Sequence, residues 1–171
     1  YLRGIWHYAR GMAFGGQGDL AAARRELASV ERYVGAESLP AIQVSVRNNA
    51  RQLVEVAQAV LAGDIEARGK NYTRAIELLG KAVAREDGLG YNEPEDWHFP
   101  VRHLLGAVML EAGDAKGAEK VYRAELEHHV ENGWSLFGLA ASLAAQARDE
   151  EAAAVRERFT KAWANSDVLL T

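Results

Sequence analysis

The sequence predicts an all-α stack of antiparallel helix pairs. Three observations carry that reading: small residues recurring at fixed offsets, apolar residues at helical spacing between them, and Gly-Asp turns that split each pair. Residues 104–122, LLGAVMLEAGDAKGAEKVY, show all three. Gly106 lies inside a helix, where glycine costs about 1 kcal/mol relative to alanine, so a packing reason is required. Moving this stretch forward by 34 residues brings Leu105 onto Leu139, Gly106 onto Ala140, Met109 onto Leu143, Gly113 onto Ala147 and Ala118 onto Ala152. Moving it back by 43 brings Gly106 onto Gly63, Ala118 onto Ala75 and Tyr122 onto Leu79; a further 52 brings Gly63 onto Gly11, Ala75 onto Ala23 and Leu79 onto Leu27.

Taken in order, the units lie near 4–37, 56–89, 99–132 and 133–166, in what reads as a single domain over 1–171. In the first, Gly18-Asp19 supplies the turn. Glycine suits the left-handed residue after a helix, and aspartate caps the next helix. Next come 18 extra residues, in which Ser38 and Pro40 open a helix at 38–55. Ile42, Val46, Ala50, Leu53, Ala57 and Val60 keep helical period, so 41–68 reads as one long helix, with a break near Asn48-Asn49 as the alternative. The second insertion, GLGYNEPEDWHFP at 88–100, is a loop by its glycines and prolines. In the third unit, helices over about 101–112 and 115–129 flank Gly113-Asp114, with Gly106 and Ala118 facing each other at the crossing. The fourth unit has Ala147 at its turn in place of glycine.

Leu-Gly, an apolar residue three on, Gly-Asp, then alanine followed by an aromatic, at a 34-residue period, resembles the tetratricopeptide repeat (TPR) over nearly the whole chain. NGWSLFGLA at 132–140 is similar to the end segment of larger bacterial TPR proteins. Glu66, where an aromatic is usual, and Ala147 depart from the pattern. The resemblance implies a right-handed superhelix of about four units whose first helices line a concave, protein-binding face. On that face it places Tyr8 and Met12, then Val60, Asp64 and Arg68, then His103, Ala107 and Leu110, and finally Trp134, Phe137 and Ala141. Packing between units is the competing role for Trp134 and Phe137. Some TPR domains grip a C-terminal carboxylate with Lys, Arg and Asn; only Arg68 and His103 are available here, which argues against a chaperone-tail adaptor.

Composition narrows the function. A net charge of −4, from 20 basic and 24 acidic residues, has the wrong sign for non-specific nucleic-acid binding. The chain has no cysteine, which excludes disulfides, thiol catalysis and thiolate metal sites. No apolar run approaches the roughly 18 residues of a membrane span. The chain opens at Tyr1 without an initiator methionine and so reads as a piece of something longer. Cytoplasm and periplasm are equally open.

Candidate chemistry is thin. GQGDLA at 16–21 matches a loose dinucleotide fingerprint but follows a helix rather than a strand, and Gly18-Asp19 is already the turn. Glu125 with His128 or His129 could share a helix face and hold a metal weakly, while Glu95 and His98 are bracketed by Pro94 and Pro100. Solvated or structural roles account for these and for His7 and His103, so no catalytic residue, cofactor or metal is assigned. Segment 86–98 carries five carboxylates and no Lys or Arg, interleaved with Tyr91 and Trp97. Two roles stand for it: an acidic-aromatic lip, with Tyr91, Glu93, Asp96 and Trp97 receiving a cation or basic peptide, or a connector stapled by Trp97 and Phe99. Val155, Phe159 and Trp163, followed by Val168-Leu169-Leu170, suggest a C-terminal edge covered by further sequence or by a second copy in a homodimer.

The expectation is a non-catalytic module that binds a protein or peptide segment in its groove, with no nucleic acid and no membrane insertion. The alternatives are a small-ligand or metal-binding protein centred on the lip and His103, and a scaffold acting through its ends.

Overall fold

The computed structural model describes residues 1–168 and 170. All regular elements among them are helical: α1 (Leu2–Gly16), α2 (Leu20–Val34), a 3-10 turn (Leu39–Ala41), α3 (Ala50–Arg68), α4 (Tyr72–Asp87), α5 (Val101–Glu111), α6 (Ala115–His128), α7 (Gly133–Ala144) and α8 (Asp149–Ala162). The chain divides into two compact units, Tyr1–Val101 and Arg102–Thr171. In the first, α3 packs on α1, α2 and α4. In the second, α7 packs on α6 and α8.

The sequence register reappears in the backbone. Left-handed residues stand at Gly18, Lys70, Gly113 and Ala147, separated by the same 52, 43 and 34 residues as the sequence shifts. Each turn makes the same two bonds. The left-handed residue's N–H reaches the carbonyl three back (Gly15, Ala67, Leu110, Ala144), and the next N–H reaches five back (Phe14, Glu66, Met109, Leu143). That pair is the Schellman cap, which satisfies carbonyls left open at a helix end. Asp19 and Asp114 then cap α2 and α6, accepting from Ala22 N at 2.8 Å and Gly117 N at 2.9 Å. Four residues beyond each cap position stand Ala23, Ala75, Ala118 and Ala152, all fully buried.

The notch glycines have a different neighbour from the one expected. A Cβ on Gly106 would stand 2.5–2.9 Å from three ring atoms of Tyr122, not against Ala118. Gly63 meets Leu79 in the same way, at 2.6 Å. Both partners lie 16 residues downstream, one turn beyond the buried alanine. Helical side chains lean toward the N-terminus of their own helix, so the ring of Tyr122 reaches back over the position that Ala118 leaves open. The other side of that ring rests on α7, where a Cβ on Gly138 would stand 2.1 Å from it.

Of the two readings of 41–68, the structure takes the break. Asn49 caps α3, accepting from Arg51 N and Gln52 N, while Gln52 Oε1 accepts from Asn49 N at 2.8 Å. This reciprocal box fixes the start of α3 at Ala50. Residues 38–49 are thus not an insertion helix. After the 3-10 turn, 42–50 fold into a tight hairpin-like loop closed by Ala50 N to Ile42 O at 2.8 Å and Val44 N to Asn48 O at 3.0 Å. Glu66, at the aromatic position, instead ties α3 to α2 through Arg24 at 2.9 Å.

Candidate functional site

Within the first unit, the expected binding stripe brings Tyr8, Asp64 and Arg68 together on the α1–α3 face, with Met12 half-buried on α1. Asp64 is 2% exposed, and its Oδ2 accepts from Arg68 Nε at 2.7 Å. Gly15 on α1 makes room for the pair: a Cβ there would lie 2.9 Å from the carboxylate and 3.2 Å from the Arg68 side chain. The Arg68 side chain is 40% exposed. A buried carboxylate therefore holds a guanidinium whose remaining donors reach water, leaving a fixed cation able to take a partner's carboxylate. Tyr8 is buried on α1, two turns before Gly15. Burial first, and then the Asp64 charge, push its hydroxyl up to about 12, so it remains a protonated donor at neutral pH. Its ring packs against Trp97 at 5.5 Å and His98 at 6.5 Å between centroids.

The 86–98 segment divides into anchors and exposed residues. Trp97 is 5% exposed, packed on Tyr8, and its indole N–H meets no protein acceptor. Asp96 accepts from Ser45 Oγ at 2.5 Å, Asn48 Nδ2 at 2.7 Å and Asn92 Nδ2 at 3.2 Å. Burial alone would raise Asp96; the bonds from Asn48, Ser45 and Asn92 outweigh it and hold the carboxyl below its usual range. Glu86 accepts from Val101 N at the start of α5. Trp97 and Asp96 thus attach the connector rather than face a ligand, whereas Tyr91 and Glu93 are exposed and hydrogen-bonded to each other.

In the second unit the expected stripe disperses. His103 is buried, with Nε2 2.9 Å from Ser135 Oγ. Burial, reinforced by the charge of His129, lowers its pKa to about 4, so it is neutral at pH 7. Leu110 packs on the cluster around Tyr122 and Leu139. Trp134 is partly exposed, but its ring meets Trp163 edge-on at 5.4 Å; Phe137 meets Phe159 at 5.6 Å, and Phe159 stacks on Trp163 at 5.7 Å. Trp134 and Phe137 therefore join an aromatic ladder with Phe159 on α8 and Trp163 just after it, which is packing within the fourth unit and not the expected packing between units. The same ladder and the buried Val155 occupy the C-terminal apolar residues, with Trp163 Nε1 donating to Val168 O at 2.7 Å. Leu169 lies outside the described residues. Glu125 is buried and hydrogen-bonds His129 at 2.5 Å. Among the described residues no group of three or more His, Asp or Glu is placed to hold a metal, and no helix is long and apolar enough to cross a membrane.

Sequence reasoning missed Gly15, Ser45 and Asn48. Gly15 had no repeat counterpart to mark it, and Ser45 and Asn48 lay inside what read as a helix.

Recurrent left-handed turns, buried alanines and glycine notches define a TPR-like helical repeat fold. The chain is similar to the solved structure of MamA (AMB-1), a TPR-like protein, with a TM-score of 0.52 and 17% identity over 98% of this chain and 95% of that one. At that identity the likeness speaks for the fold. No known family profile matches the chain, and no curated protein does.

Proposed function

We propose that the chain is a non-catalytic protein-interaction module, and that the α1–α3 face of its first unit holds an extended or helical segment presenting a carboxylate beside an apolar side chain. The observation that supports this is the Asp64–Arg68 pair seated over Gly15 on α1. Its guanidinium is oriented before any partner arrives, which lowers the ordering cost of binding. Tyr8 and the half-buried Met12 supply apolar surface. A second reading, a scaffold acting through its ends, draws on the outer side of α1, where Leu2 and Trp6 are exposed and Arg10 stacks over Trp6 at 4.3 Å.

Selection of a random displayed-peptide library on the immobilised chain tests the first reading. Peptides that carry Asp or Glu beside a large apolar residue should emerge and bind Arg68→Gln at least about 10-fold more weakly, since glutamine keeps a donor for Asp64 but loses the charge. Peptides without acidic residues, or indifferent to Arg68→Gln, would refute it.

A further inference from the structure

We infer that segments 42–49 and 88–98, parts of the two insertions into the repeat, form a second docking surface, one that takes a segment of another protein bearing Lys or Arg beside an apolar side chain. The residues that join them are 42 to 51 apart in sequence, yet the segments are fastened together. Asn48, itself buried, donates to Gly90 O at 2.8 Å and accepts from Gly90 N at 2.7 Å, while Asp96 takes the bonds from Asn48 and Ser45. Arg47 lies directly on Gly90, where an added Cβ would stand 2.6 Å from the Arg47 Cβ. Val46 and Tyr91 are each one residue from that contact, at 97% and 71% exposure. Ile42, at the base of the hairpin, is exposed as well.

A valine this exposed in a floppy loop would need no comment, because single exposed apolar residues are common. Here the loop is pinned at several points, so Val46 and Tyr91 are presented in a set arrangement whose entropy is already spent on folding. Preorganised apolar and aromatic anchors with a polar rim are what protein contacts use. The charge fixes the partner's chemistry. Segments 42–49 and 88–98 carry three carboxylates, Glu93, Glu95 and Asp96, against the single Lys or Arg side chain of Arg47. Asp96, which fastens the loops, still contributes its charge, so the surface is complementary to a cationic segment. This surface stands at the start of α3 and Arg68 at its end, about 27 Å of helix away.

The same library distinguishes the two surfaces. Peptides of the second class should combine Lys or Arg with Leu, Ile or an aromatic, bind more weakly as salt is raised, and lose about 10-fold or more on Val46→Ser or Glu93→Lys while binding Arg68→Gln as they bind wild type. Both substituted side chains are exposed, so the variants should melt with wild type, which separates lost binding from lost folding. A selection that yields no basic peptide, or basic peptides that bind Val46→Ser and Glu93→Lys as tightly as wild type, would overturn the inference. Sensitivity to Arg68→Gln alone would do so too, while leaving the α1–α3 reading in place.

Discussion

Gly106→Ala should destabilise the protein, although a helix ordinarily welcomes the change. Propensity favours alanine over mid-helix glycine by about 1 kcal/mol. Against this stands the added methyl group, 2.5, 2.7 and 2.9 Å from three ring atoms of Tyr122, well inside carbon contact distance. The ring cannot back away, because its other side lies on Gly138, where the corresponding approach is 2.1 Å. Overpacking of this kind costs about 1–3 kcal/mol. Since two opposed glycines confine one ring, the upper half of that range applies, and the net loss is about 1–2 kcal/mol. Thermal or urea unfolding reads it as a fall of roughly 2–4 °C per kcal/mol for a chain of this length. Gly80, mid-way along α4 with nothing within 4 Å of its Cβ position, is the internal control. Gly80→Ala should gain about 0.4–1 kcal/mol. In a Tyr122→Ala background Gly106→Ala should turn neutral or favourable, a coupling that a double-mutant cycle isolates. If Gly106→Ala melts at or above wild type, as Gly80→Ala is expected to, the notch account is wrong.

Three further outcomes follow from the same geometry. Ala147 holds φ 57°, a conformation that costs a non-glycine residue about 1 kcal/mol, so Ala147→Gly should stabilise by about that amount in urea unfolding; no gain would mean that the turn is unstrained. Asn48→Ala removes both bonds to Gly90 and one of the two to Asp96 Oδ2, leaving Ser45 alone to hold that oxygen. A loss of about 2–3 kcal/mol and faster hydrogen exchange across 42–49 and 88–97 are expected, and unchanged exchange there would dissociate the two loops. His103 has its folded pKa lowered to about 4 from 6.5, so between those values the unfolded chain binds the extra proton. Its contribution to stability is complete above pH 6.5 and is lost as pH falls toward 4, by at most about 3 kcal/mol. His103→Gln should flatten the pH dependence of the unfolding midpoint in that window; an unaltered slope would refute the assignment.

The repeat register was legible because glycine and alanine at the notches, and glycine at two turns, are local requirements written in residue type. Lys70 and Ala147 take the same left-handed turn against their preference; there the packing of the flanking helices decides, and no residue type announces it. The neighbour of Gly106 was misplaced by one turn, since spacing locates Cα positions while side chains lean backward along the helix. The break before α3 was obscured because Ile42 and Val46 happen to continue the apolar phase of 50–60, although both are exposed on the hairpin. On the α1–α3 face, Tyr8, Asp64 and Arg68 could be read from helical spacing. Asp96 and Trp97 could not be sorted as anchors, because Ser45, Asn48 and Tyr8 lie some 48 to 89 residues away in sequence. Trp134 and Phe137 carried an ambiguity that only the placement of Phe159 on α8 and of Trp163 just after it resolves.

The claim on which the functional account turns is that the face shared by α1 and α3 receives a partner segment. Hydrogen exchange of the chain, free and saturated with the tightest acidic peptide from the selection, locates the contact directly. The account predicts new protection centred on residues 8–15 and 60–68, abolished by Arg68→Gln. Protection confined to the α7–α8 aromatic ladder, or none on either segment, would contradict it.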